Sequence, residues 1–213
     1  MPQIVTITYF QNANDLNIPL SVVNLVANPT LATPNSNDAL TSLCVKVEKS
    51  ILLNALGLAT YNTLQEALED DFVNPLFASY KKLVEGEEYD GKVWEGLDNE
   101  YSLIAYKIYQ TFLTQTNEHL TGVGNTQGNP EKATLVTPAY KIASASQNFV
   151  QKYQSGYLEY PLVYNDGEFI DWFGNQEGVE VSLYQYLVDK KADFPDLNID
   201  KFRTYEAENS FGI

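Results

Sequence analysis

The chain has one histidine, His119, and one cysteine, Cys44, so chemistry built on imidazole or thiolate has very little to work with. A Ser-His-Asp triad would have to use His119, yet no serine stands in a G-x-S-x-G elbow, and no H-E-x-x-H spacing supports a zinc site. His119 reads instead as a helix C-terminal cap, where a cation is favoured, or as a simply exposed side chain. A lone cysteine excludes an internal disulfide and a thiolate metal site, and Cys44 falls on an apolar helical face that makes it a small core residue. Gly122, Val123 and Gly124 form a fragment of a glycine-rich nucleotide fingerprint. They follow a helical pattern, whereas a dinucleotide loop follows a strand, and no Walker lysine motif accompanies them.

Carboxylates gather in three places: Glu66, Glu69, Asp70 and Asp71; Glu85, Glu87 and Glu88; and Asp166, Glu168 and Asp171. Paired carboxylates can do acid-base work on a glycosidic bond or hold calcium. The first two groups read as solvated helix ends and the third as a hairpin tip, since Asp166, Glu168 and Asp171 lack the ordered oxygen spacing of a calcium loop. The pairs Lys81-Lys82 and Lys190-Lys191 read as solvated helix faces beside Glu85, Glu87 and Asp193. These residues give no catalytic set, no metal site and no cofactor, and the reading is not an enzyme.

With 13 basic against 28 acidic side chains the formal net charge is −15, which argues against tracking a DNA groove, because neutralising phosphates takes clustered Lys and Arg. An acidic surface suits a passage through which DNA must slide without sticking. The 15 tyrosines each carry an apolar body and a polar tip, which fits interfaces and also cores with a wet hydroxyl. A chain of 213 residues buries roughly 70% of its unfolded surface, enough for a core without staples. The opening "MPQIVTITYFQ" has no basic leader, and no run approaches the roughly 20 apolar residues of a membrane span. The expectation is a soluble protein, or part of a particle assembled inside a cell.

The elements that must position these residues are mainly α. An antiparallel helical bundle is expected over 38–155, after an N-terminal strand and extended arm (1–37) and before a C-terminal β-hairpin, short helix and tail (156–213). Val5, Ile7 and Tyr9 alternate with Thr6 and Thr8, favouring a strand over 4–10, and the proline-bearing stretch 11–37 favours an arm. A helix begins at Ser36 or Asn37, runs through Leu40, Leu43, Cys44, Val47, Ile51 and Ala55, and stops at Gly57; a shorter one carries Tyr61, Leu64 and Leu68 inward. Asn74 and Pro75 open a third that ends at Gly86, and a loop follows in which Trp94 and Leu97 tuck inward. Asp98 or Asn99 caps a fourth helix with Tyr101, Ile104, Ala105, Ile108, Phe112 and Leu113 on one face, and Thr137-Pro138 starts a fifth with Ile142, Ala145, Phe149 and Tyr153. Between these two lies a long loop, 119–136, whose length favours docking. Asn165, Asp166 and Gly167 signal a hairpin, and Ser182 caps a helix through Leu183, Tyr186 and Leu187.

A tyrosine-rich helix, the turn Thr121-Gly122-Val123-Gly124, the stretch Asn129-Pro130-Glu131, Pro138 with Lys141 at a helix start, and the ending Asn209-Ser210-Phe211-Gly212-Ile213 occur in that order. This order resembles a group of small tailed-bacteriophage proteins encoded near the portal gene, common in phages of Bacteroidetes-type hosts. The preceding "ILLNALGLATYNTL" is similar to the helical start of phage head-completion adaptors. Ala143 to Gln147, "ASASQ", departs from the bulkier aromatic expected there.

The resemblance implies a structural virion protein, a head-to-tail connector at the head-tail junction, assembled in the host cytoplasm. Its partners would be the portal protein, tail or neck proteins and further copies of itself in a ring, usually dodecameric, with DNA only passing through and no membrane involved. Contacts are expected at Leu120, Thr121, Gly122, Val123, Gly124, Asn125, Gly128, Asn129 and Pro130 in the loop, and at Asn209, Ser210, Phe211, Gly212 and Ile213 in the tail. A capsid decoration protein, a tail-completion protein or a non-catalytic binding module are the rival readings, with a metal-independent hydrolase last.

Overall fold

The computed structural model describes residues 2–11, 16–18, 36–117, 119–121, 124–126, 139–155, 163–165, 168–170 and 179–206. The fold is mainly α, with α1 (Ser36–Glu69), α2 (Ala78–Glu85), α3 (Leu103–Asn117), α4 (Ala139–Gln154) and α5 (Leu183–Asp189). Among the described residues no helix is long and apolar enough to cross a membrane. One hydrophobic core takes Phe10 and Leu16 from the N-terminal stretch, the inner faces of the helices, and Phe194 and Leu197 from the C-terminal stretch.

The alternation at the N-terminus does not make a strand. Ile7–Phe10 form a 3-10 turn, and the buried residues are Ile4, Val5 and Phe10 instead of one alternating face. A strand needs a ladder partner for its backbone, and here the N–H groups of Ile4 and Val5 are taken by a side chain, the Glu48 carboxylate. The proline-bearing arm beyond Ile18 lies outside the described residues.

Gly57 breaks α1 as its residue type predicts. Its φ of 73° is open to glycine and resisted by other residues, and the chain resumes a second helical stretch that buries Tyr61, Leu64 and Ala67. Asn74 accepts the N–H of Leu76 at 3.0 Å with Pro75 between them, opening the path into α2. Gly86 ends α2 at φ 93°, and a Cβ there would lie 2.6 Å from the Trp94 carbonyl oxygen, so only glycine fits.

The stretch after Gly86 is a hairpin where a loop is predicted. Strands β1 (Glu87–Tyr89) and β2 (Lys92–Trp94) pair antiparallel across Asp90 and Gly91, both at positive φ. Asp-Gly between short β-prone runs is the same turn chemistry that marks Asn165 to Gly167. Trp94 and Leu97 are buried, as expected, and Trp94 Nε1 donates to the Leu83 carbonyl at 2.9 Å. The chain adds β3 (His119–Thr121), β4 (Gly124–Thr126), β5 (Val163–Asn165), β6 (Glu168–Ile170) and β7 (Val179–Glu180). β7 joins β2 in parallel, so the hairpin built into the core is the mid-chain one and not the C-terminal one. β5 and β6 pair antiparallel as a separate two-stranded element.

The cap of α3 also differs from its prediction. Ser102 Oγ accepts the N–H of Ile104 at 3.2 Å and the helix starts at Leu103, while Asn99 holds the N–H of Tyr101 one turn earlier. Tyr101 therefore precedes the helix and is 44% exposed instead of facing the core. Ile104, Ala105, Ile108 and Phe112 are buried, and on α4 Ala143, Ala145, Ser146, Phe149 and Tyr153 are buried. Ala143, Ala145 and Ser146 of "ASASQ" thus face inward, where small side chains fill the space a bulkier aromatic was expected to take. Ser182 caps α5 by accepting the N–H of Gln185, and Leu183, Tyr186 and Leu187 are buried.

Candidate functional site

Three polar networks and two clefts are the places where the described side chains are organised for more than packing. The first network centres on Glu48, 4% exposed, on the stripe of α1 that also carries Cys44 and Leu52. Its carboxylate accepts the N–H of Ile4 (3.1 and 3.2 Å) and of Val5 (2.9 Å). Burial raises the Glu48 carboxyl above the usual range, with the two backbone donors acting against that shift. Burial and the Glu48 charge push the Cys44 thiol up to about 12, so this cysteine is an inert core residue, as its place on the apolar face predicts.

The second network surrounds the hairpin. Glu87 meets Lys82 at 2.9 Å and Lys190 at 3.4 Å, and accepts the Tyr186 hydroxyl at 2.9 Å. Burial alone would raise the Glu87 carboxyl, but the hydrogen bonds from Lys82 and Tyr186 and the charge of Lys190 outweigh it and hold it below the ordinary value. Asp189 behaves alike: burial is overcome by Lys92 at 2.7 Å, the Tyr89 hydroxyl and Gln185. Tyr186 stacks on Trp94 at 5.1 Å, and Lys190 Nζ lies 4.4 Å from the centre of the Tyr89 ring. Glu87 and Lys190 are therefore corrected from solvated ends to structural partners, whereas Lys81, Lys191, Glu66 and Asp71 are exposed as predicted. Lys152 joins Glu95 (2.6 Å) and Glu180 (3.0 Å), which ties α4 to β7.

The third network holds the C-terminal stretch. Gln154 clamps Tyr205 by two bonds, donating to its carbonyl at 2.8 Å and accepting its N–H at 2.7 Å. The N–H of Arg203 reaches the Asn54 carbonyl at 3.1 Å, and Asn54 Nδ2 donates to the Tyr205 hydroxyl. Phe149, Tyr153, Phe202 and Tyr205 form one aromatic cluster, and Lys107 Nζ lies 5.2 Å from the Phe149 ring centre. Beside this strap a surface cleft of about 620 Å³ opens at the Gly57 break. A second, of about 460 Å³, lies between Leu16 and Asn17 and the tyrosines Tyr106, Tyr109 and Tyr140.

Of the residues predicted to contact partners, Leu120 and Thr121 lie in β3, and Gly124 and Asn125 in β4, with Leu120 opposite Asn125 and Thr121 opposite Gly124. The long loop thus begins as a two-stranded element directly after α3. His119 opens β3 opposite Thr126, past the end of α3 at Asn117. Gly122, Val123, Gly128, Asn129, Pro130 and Asn209, Ser210, Phe211, Gly212 and Ile213 lie outside the described residues, as do Asp166, Asp171, Thr137 and Pro138. Among the described residues no three His, Cys, Asp or Glu side chains gather to hold a metal ion.

Sequence reasoning missed Glu48, Glu87 and Lys152 as organising residues. One signal was present for Glu48: a carboxylate four residues from Cys44 interrupts an otherwise apolar stripe, and a charge on a buried face must find partners. Compared with protein-family models, curated proteins and solved structures, the chain matches none.

Proposed function

We propose that the chain is a structural virion protein, a head-to-tail connector whose copies form a ring that bridges portal and tail and lines the DNA exit channel. In this reading the antiparallel helical bundle is the ring body. The arm ahead of the bundle contacts a neighbouring copy, and the C-terminal hairpin and tail supply the tail-side contact. The reading is supported best by the position of the turn that carries the resemblance. Thr121 and Gly124 end β3 and begin β4, so this turn is fed by α3 and set between α3 and α4 in the chain. The formal charge of −15 is consistent with a lumen that does not retain DNA.

Co-sedimentation with portal rings and, separately, with capsid shells lacking a portal tests this reading. Binding to portal and not to shells is expected. Binding to shells alone would make the chain a decoration protein, and binding to neither would remove the connector reading.

A further inference from the structure

The turn between α1 and α2 carries two of the three most exposed large hydrophobic side chains among the described residues, Val73 at 78% and Leu76 at 83%. Asp71 (φ 51°) and Phe72 (φ 54°) are successive residues in the left-handed region that L side chains rarely adopt. The turn is nonetheless fixed. The N–H of Phe72 bonds the Ala67 carbonyl at 3.0 Å, Asn74 N–H bonds the Asp70 carboxylate at 2.7 Å, and Phe72 and Phe77 pack against the core. The result is a rigid apolar tip beside the exposed carboxylates of Glu69, Asp70 and Asp71.

The complementary shape lies at the other end of the same helical stretch. The cleft at the Gly57 break has Leu53 and Leu58 as its apolar lining, with Leu58 67% exposed, and carries Lys201 and Arg203, the chain's single arginine. Both cations are exposed. An apolar knob beside negative charge and an apolar groove beside positive charge match in both respects. They cannot meet within one molecule: helix from Gly57 to Glu69 holds them about 18 Å apart at 1.5 Å per residue.

We infer that Val73 and Leu76 of one copy seat in the Leu53, Leu58, Lys201 and Arg203 groove of a second copy, a heterologous contact that adds subunits head to tail. Such a contact closes into a ring when its rotation permits. The inference rests on the ring-forming reading above and names the two patches that would form the ring's contact.

Disulfide trapping tests it, because Cys44 is buried and silent. A Leu58→Cys/Leu76→Cys double variant under mild oxidation is expected to give a ladder of covalent multimers. The two single variants mixed should give a one-to-one dimer, and neither should dimerise with itself. Lys201→Glu/Arg203→Glu added to the double variant should cut the ladder at least tenfold, and Glu66→Lys/Glu69→Lys in that same chain, both exposed and outside the bonds that fix the turn, should restore it. Homodimers from a single variant as abundant as the mixed dimer, or a ladder indifferent to the charge reversals, would overturn the inference. Portal-dependent rings without any ladder would overturn these patches and leave the connector reading standing, whereas neither rings nor ladder would remove both. If the groove substitutions instead lower the melting temperature of the monomer and leave no ladder, the groove is filled by the chain's own residues and the inference fails.

Discussion

The Glu48 carboxylate accepts the N–H of Val5 at 2.9 Å across a sequence separation of 43, and the N–H of Ile4 as well. A single buried side chain thus does for the N-terminal stretch what a neighbouring strand would do in a sheet. Glu48→Ala leaves two buried donors without partners and should cost about 1–3 kcal/mol for each, read by urea unfolding. Glu48→Gln keeps an acceptor and sheds a buried charge, so it should cost clearly less than the alanine. Because burial raises the native Glu48 pKa, the folded protein binds this proton more tightly than the unfolded chain. Its contribution to stability therefore grows as pH falls through the raised native value toward about 4.3, and Glu48→Gln should flatten that rise.

Glu87 and Asp189 run the opposite way. Their native pKa values are depressed, so their contribution is full above the unfolded values, near 4.3 and 3.9, and is lost as pH falls through the native ones. Glu87→Gln should destabilise the protein by about 1–3 kcal/mol at pH 7, since it breaks charge-assisted bonds to Lys82 and Tyr186, and by much less near pH 3. An equal loss at both pH values would refute the assignment.

The hydroxyl of buried Tyr153 has no partner among the described residues, while its ring packs on Phe149, Phe202 and Tyr205. Tyr153→Phe should therefore be neutral or stabilising by up to about 1 kcal/mol, and Tyr153→Ala should cost about 3–5 kcal/mol. Thermal unfolding of both variants checks the pair.

Gly122→Val with Gly124→Val alters the turn region between β3 and β4. Helical circular dichroism should stay within error of the parent, while binding to portal falls at least tenfold. Loss of the helical signal would mean that this region belongs to the folding of the body.

Helix positions were legible because apolar residues recur at helical spacing: Ile104, Ala105 and Ile108, then Ala145, Phe149 and Tyr153, are buried as their pattern requires. Glycine punctuation at Gly57 and Gly86 was equally readable. The N-terminal strand was misjudged because alternation reports a face and not a partner, and the partner proved to be Glu48. Asp90-Gly91 was overlooked because its strands are three residues each, too short for a period to register. The apolar tip at Val73 and Leu76 has no periodic signature, since its exposure follows from the left-handed backbone at Asp71 and Phe72. The loop was singled out by its length and glycines and the tail by resemblance, and of their contact residues only Leu120, Thr121, Gly124 and Asn125 have a described backbone.

Negative-stain microscopy of the purified chain, alone and mixed with the portal protein of its phage, tests the connector reading most directly. Rings that appear on the portal, with the chain alone remaining small, are the predicted result. Portal particles unchanged in outline after mixing at saturating concentration, with the chain still monomeric by light scattering, would contradict it.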